Sequence, residues 1–355
     1  TSQRVATVLN GVETEGYGDV NDTYKAFSKT INTFNFWKDR NVDFPKLNYV
    51  THKDVESTST EEFRKRERLV LAASQCLGAG FNSFIQAYTP EPGFSIAIQD
   101  EFKKGNDNQN HWLGEPLTDY IDLSLNAPDY WSGNGINELT TTVQTQSCSY
   151  TQNNNELNVA INNNARQGVL TFKNVVIPSG DFTFRFDAQA LNALNNLSPS
   201  IPRIVEIEII GGVDYSNDAQ NILAYIGMDK SYECSYYVRN LGPATVDIQI
   251  TIEGDGNVSL SNFKLNTAPQ ALARQFENGV VLANPSTNST LFNLAQLFPT
   301  LELGRLNGQD SSVNDGSTVG DTVIVPALDG LFLKNNATLK TTTYGDTSSF
   351  SIYPN

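Results

Sequence analysis

At 355 residues the chain is too long for one hydrophobic core of common size, and two or three domains are expected. Its 24 basic against 39 acidic side chains, a net charge of −15, would repel a nucleic-acid backbone or an anionic membrane and favour uncharged partners. Two histidines and three cysteines, none at ligand spacing, leave no zinc or iron centre and imply no cofactor.

In chain order, residues 4–10 are β-branched and apolar and run into a Gly-rich turn that carries Glu13 and Glu15. This pattern predicts a buried strand that delivers two carboxylates to the rim of a sheet. If the strand continues through them, both acids face one side; if it ends at Asn10, both lie in the loop. Tyr24, Phe27, Ile31 and Phe34 recur at helical spacing behind Asn21, Asp22 and Thr23, which predicts an amphipathic helix to about Arg40. Lys46 to His52 is a second strand. Ser59 and Glu62 have capping-box spacing; Phe63, Leu69, Val70, Ala73 and Cys76 share one face before Gly78 ends the helix. Gly80 to Ile85 is a third strand. Strand and helix alternating over residues 1–120 is the sequence form of βαβ units with a parallel sheet. Three strands cannot close a barrel of eight, so this is either a small open sheet or the last units of a barrel whose earlier units are absent. The rim-directed acids favour the second.

From Leu113 to Leu117 helical spacing disappears. Residues 169–172, 182–187, 204–210, 236–238 and 246–252 alternate inward and outward side chains, which predicts an antiparallel β-sandwich over residues 135–267. Short strands around Val280, Leu301, Val323 and Leu331, separated by Asn-Pro, Asn-Gly and Asp-Gly turns, predict a small C-terminal β domain over residues 272–334. Residues 335–355, rich in Thr and Ser, have the composition of a linker. The whole is thus a multidomain α/β plus all-β chain. Cys148 and Cys234 fall in the predicted sandwich and either form a bridge, if the chain is exported, or stay as buried thiols with Cys76. No run reaches the roughly 18 apolar residues of a membrane helix, no signal peptide is recognisable, and a start at Thr1 suggests a processed or truncated product.

Several segments resemble known families. Asn10, Gly11, Val12 and Glu13, with Glu15 beyond, make residues 1–120 similar to the last three βα units of TIM-barrel glycoside hydrolases. Arg274 to Pro285, Val313 to Ser317 and Pro326 to Leu331 resemble the C-terminal β domain of such proteins. Phe172 to Phe184 and Val258 to Leu265 resemble jelly-roll carbohydrate-binding modules, where an Asp before the Asn-Phe pair commonly helps to hold a structural calcium; Ser261 stands there in this chain. Ser349 to Asn355 resembles the opening of the sorting domain of type IX secretion system cargo of Bacteroidota.

These resemblances imply a secreted or cell-surface protein that acts on or binds a polysaccharide, with the type IX machinery and a missing N-terminal barrel segment as further partners. The rival is a non-catalytic glycan-binding or adhesion protein, or cargo held in a larger assembly. Glycoside hydrolysis needs two carboxyl groups across the scissile bond. Glu13 and Glu15 are the candidates, Glu13 first, against a bland reading as loop acids. His52, Gln86 and Tyr88 would lie on the same rim, and Tyr17, Trp112 and Trp131 could stack on sugar faces, against the alternative that each is packing.

Overall fold

The computed structural model describes residues 11–15, 23–38, 40, 48–54, 59–85, 99–131, 135–140, 142–178, 180–211, 222–241 and 244–336. Strand β1 (Glu13–Glu15), helix α1 (Thr23–Trp37), β2 (Tyr49–Asp54), α2 (Thr60–Leu77) and β3 (Gly80–Ile85) follow one another, and the strands pair in parallel in the order β1-β2-β3. Local chemistry sets the bounds of α2. The Ser59 side chain accepts the Glu62 N–H, and Gly78, left-handed at φ 70, closes the last turn. Phe27, Ile31 and Phe34 of α1 join Leu69, Val70 and Ala73 of α2 in one apolar cluster with Val50 of β2, so both helices cover the same face of the sheet. Among the described residues this parallel sheet is open and three-stranded. The strand expected at residues 4–10 lies outside the described residues; Glu13 and Glu15 are themselves in a strand.

Beyond α3 (Gln99–Lys103), β4 (Ile121–Asp122) and α4 (Gly135–Leu139) the chain becomes all-β. It continues through β5 (Val143–Gln146), β6 (Cys148–Asn153), β7 (Glu156–Ile161), β8 (Gln167–Ile177), β9 (Gly180–Ala190), β10 (Arg203–Ile210), β11 (Ile222–Ile226), β12 (Tyr232–Leu241), β13 (Ala244–Glu253) and β14 (Gly256–Asn266). These ten strands form two antiparallel sheets, β11-β10-β13-β8-β5 and β12-β9-β14-β7-β6. Val205, Ile207, Ile248 and Ile250 of one meet Phe184, Phe186 and Leu260 of the other in a single core, which makes a β-sandwich. In β9 the alternate residues Thr183 and Arg185 are buried as well, because the outer side of their sheet packs on the rest of the molecule.

Cys148 in β6 and Cys234 in β12 are at opposite edges of the same five-stranded sheet, four strand spacings and so at least about 19 Å apart. That is far beyond disulfide reach, and all three cysteines are free and buried, so of the two alternatives the buried thiols hold.

The final strands are β15 (Leu272–Phe276), β16 (Gly279–Asn284), β17 (Thr290–Asn293), β18 (Leu303–Arg305), β19 (Thr322–Val325) and β20 (Asp329–Asn335), with a short α5 (Leu294–Leu297). They build the sheet β18-β20-β16-β15-β4 and the ribbon β17-β19. Helix α2 lies directly on this sheet. Gly330 permits the approach, since a Cβ there would meet the Arg68 carbonyl oxygen and, at 2.7 Å, the Ala72 Cβ. Arg68, buried in α2, donates to both carboxylate oxygens of Asp329 at 2.9 Å and to Asp310 at 2.8 Å.

A second buried polar network joins α1, the sandwich and β4. Asp122 accepts from Arg185 at 2.5 Å and from Gln270 at 3.0 Å. Gln270 also accepts from Ser28 at 2.8 Å and donates to Ser235 at 2.9 Å, and Ser235 donates in turn to Asn32 at 3.0 Å. No helix among the described residues is long and apolar enough to cross a membrane.

Candidate functional site

The pairing of β1 with β2 sets Glu13 opposite Tyr49 and Glu15 opposite Thr51, and that of β2 with β3 sets Tyr49 opposite Gly80 and Thr51 opposite Asn82. Strand alternation puts these positions on the face away from Val50 and the helices. There Tyr49 Oη donates to Glu13 Oε2 at 2.9 Å, and Thr51 Oγ1 donates to Glu13 Oε1 at 2.8 Å. One hydroxyl on each oxygen fixes the carboxylate in a single orientation and leaves further acceptor capacity for a ligand. Glu13 and Asn82 are exposed, and Tyr49 is 40% exposed. A fixed carboxylate, a partly exposed aromatic ring and an exposed amide on one polar face suit a polyhydroxylated ligand, whose hydroxyls meet the polar groups and whose C–H face meets the ring.

Other expected residues are placed elsewhere. His52 follows Thr51 and therefore lies on the helix side of β2, buried, with its ring stacked 6.3 Å from Phe63 of α2; the rim position expected for it is corrected. Trp112 is only 4% exposed and donates its indole N–H to the Glu101 carbonyl at 2.6 Å, so it is a packed wall and presents no open sugar platform. Trp131 is likewise buried, edge-on to Phe184 at 5.8 Å in the sandwich core. Tyr17, Gln86 and Tyr88 lie outside the described residues. Of Glu15 the backbone alone is described, in register with Thr51. Tyr49 and Thr51 were missed from sequence, although their two-residue spacing in the expected second strand was the signal that both share a face.

The sandwich carries a different surface feature. A groove of about 550 Å³ is lined by Ser149, Asn163, Asn192, Asp255 and Asn257, and adjoins one of about 290 Å³ that shares Ser149 and Asn257 and adds Asn158 and Leu191. Its lining is mostly amide and hydroxyl. At the position considered for calcium, Ser261 is paired with Glu156 and Asp187. Asp187 already accepts from Asn262 at 2.7 Å, and Glu156 from Ser259 at 2.5 Å. Among the described residues no group of three or more His, Cys, Asp or Glu could hold a metal ion.

No family model matches the chain, and no curated protein matches it. The structural neighbours are carbohydrate-binding modules. TmCBM61 in complex with β-1,4-galactotriose is 12% identical, over 40% of this chain and 100% of its own, with a TM-score of 0.28. The CBM22-1–GH10 modules of Clostridium thermocellum xylanase 10B with xylohexaose are 8% identical, over 36% of this chain and 26% of theirs, at 0.28. The N-terminal cellulose-binding domain of Cellulomonas fimi β-1,4-glucanase C is 13% identical, over 36% of this chain and 88% of its own, also at 0.28.

Proposed function

We propose that this is a glycan-directed protein that engages a polysaccharide on the open face of the parallel sheet and hydrolyses it with Glu13 as one of the two carboxyl groups. The observation that carries this reading is the Glu13 carboxylate held by Tyr49 and Thr51 beside the exposed Asn82. Glu15, two residues along β1, is the candidate for the second carboxyl. We read the βα units as one wall of a (β/α) barrel: the helices lie behind the sheet and the Glu13 carboxylate lies in front, as on a barrel's lumenal side. In the same reading the Ser349 to Asn355 motif directs the chain through the type IX machinery to the cell surface.

The test is reducing-sugar release from a panel of neutral polysaccharides by wild type, Glu13→Gln and Glu15→Gln. Loss of about 10²-fold or more in Glu13→Gln, with polysaccharide retardation in native gels preserved, is expected. Unchanged release in both variants removes these acids from the chemistry. The amide-lined groove of the sandwich favours a second reading, a non-catalytic glycan-binding protein. In that case wild type releases no sugar, and retardation is lost in Asn257→Ala and kept in Tyr49→Ala.

A further inference from the structure

A pocket of about 480 Å³ opens where α2, α3, the loop of residues 110–115 and β20 meet, and it shares no residue with the sheet face above. Rings of Phe102, Trp112 and Phe332 wall it, and Glu101, His111 and Glu115 contribute its ionisable groups; no Lys or Arg lines it. This size and mixture are those of small-molecule sites, which favour junctions between structural units.

The loop wall is held in place before any ligand arrives. Asn278 donates its side-chain amide to the Trp112 carbonyl at 2.8 Å and its backbone N–H to the Leu113 carbonyl at 3.1 Å. The Glu115 N–H donates to Glu277 at 3.2 Å. Gly114 adopts φ +75, and a Cβ there would meet the Glu277 Cβ at 2.9 Å. His111 is left-handed too, at φ 53, a conformation disfavoured for a residue with a Cβ and one that concentrates at ligand clamps.

Charge supplies the selectivity. Glu101 is 4% exposed; Oε1 accepts from Asn314 at 3.0 Å, and Oε2 has no hydrogen-bond partner among the described residues. The charged groups acting on it are Arg68 of α2 and Asp100 of α3. Arg68 is already engaged by Asp310 and Asp329, on which Arg64 and Lys65 also act, so its charge is shared and not held for Glu101 alone. Glu115 on the loop adds a further carboxylate, and His111 is the remaining ionisable group of the lining. Burial pushes the Glu101 carboxyl up to about 7 despite the attraction of Arg68. A cation entering beside it would lower that value and release a proton.

We propose that this pocket binds a small organic cation, a primary ammonium carried on an apolar ring, with the ring against Phe102, Trp112 and Phe332 and the ammonium at the Glu101 and Glu115 carboxyls.

Phenethylamine, 2-phenylethanol and phenylacetate share a shape and differ in charge, and they are the probes. The full chain has two histidines, so imidazole C–H resonances report directly: His111 from the pocket wall, and buried His52 as the internal control for folding. Expected is a saturable shift of His111 with phenethylamine, no shift of His52, alcohol binding at least about tenfold weaker, and no binding of the acid. Glu115→Gln, at an exposed position, and the isosteric Glu101→Gln should each weaken the amine by about tenfold. Glu101→Gln should also abolish the proton release that wild type shows as a buffer-dependent binding enthalpy. Absence of a saturable His111 shift, alcohol or acid binding as tightly as the amine, or unchanged affinity in both folded variants would overturn the proposal.

Discussion

Glu101 shows how one buried acid sets a pH response. Its carboxyl moves from the ordinary 4.5 to about 7, chiefly because burial penalises the charged form, with Arg68 opposing. The folded state therefore holds the proton more tightly than the unfolded state. The stability this protects is complete below about pH 4.5 and is lost as pH rises through about 7, by roughly 3 kcal/mol in all. Glu101→Gln keeps the acceptor for Asn314 and removes the ionisation. Thermal unfolding should place the variant above wild type beyond pH of about 8 and level with it near pH 4.5. Parallel curves across that interval would show that the carboxyl is ionised at no cost.

Helix α2 is the element on which two sheets depend, since it packs on the parallel strands and on β20 and β16. Its ion pair with Asp329 is buried on both sides, and breaking such a pair strands a charge away from water. Asp329→Ala should cost roughly 3–5 kcal/mol in urea unfolding, and Gly330→Ala about 1–3 kcal/mol through the clash with the α2 backbone. A loss under about 1 kcal/mol in both would mean that α2 can shift away from the sheet. The bounds of α2 were legible in the sequence, because Ser59, Glu62 and Gly78 are local signals. So were strands with clean alternation, such as Val246 to Ile252 in β13. What a local pattern cannot carry is pairing at distance: Arg68 finds Asp329 across 261 residues, and Arg185 finds Asp122 across 63. The alternation of β9 likewise hides that Thr183 and Arg185 on its polar side are as buried as its Phe side. At the candidate site, Glu13 was legible as a candidate acid near the first strand, with strand and loop both open, and the structure puts it in β1. Tyr49 and Thr51 join it only once the β1–β2 register is known.

At the scale of the whole molecule, the buried polar network makes the α/β part, the sandwich and the C-terminal sheet interdependent. Gln270 has partners on all three, namely Ser28 of α1, Ser235 of the sandwich and Asp122 of β4. Calorimetry should give one unfolding transition for wild type. Gln270→Ala, which leaves several buried groups without partners, should lose roughly 3 kcal/mol and separate the sandwich from the remainder into two transitions. Separate transitions already present in wild type would contradict this coupling.

The three thiols are interior and free, two of them held at opposite margins of one sheet. Maturation of this chain therefore calls for no oxidoreductase and no isomerase of sulfur pairs. Material folded in a glutathione-rich cytosol and material recovered from an aerobic medium should be the same molecule, with identical mobility whether or not a reductant is added to the gel.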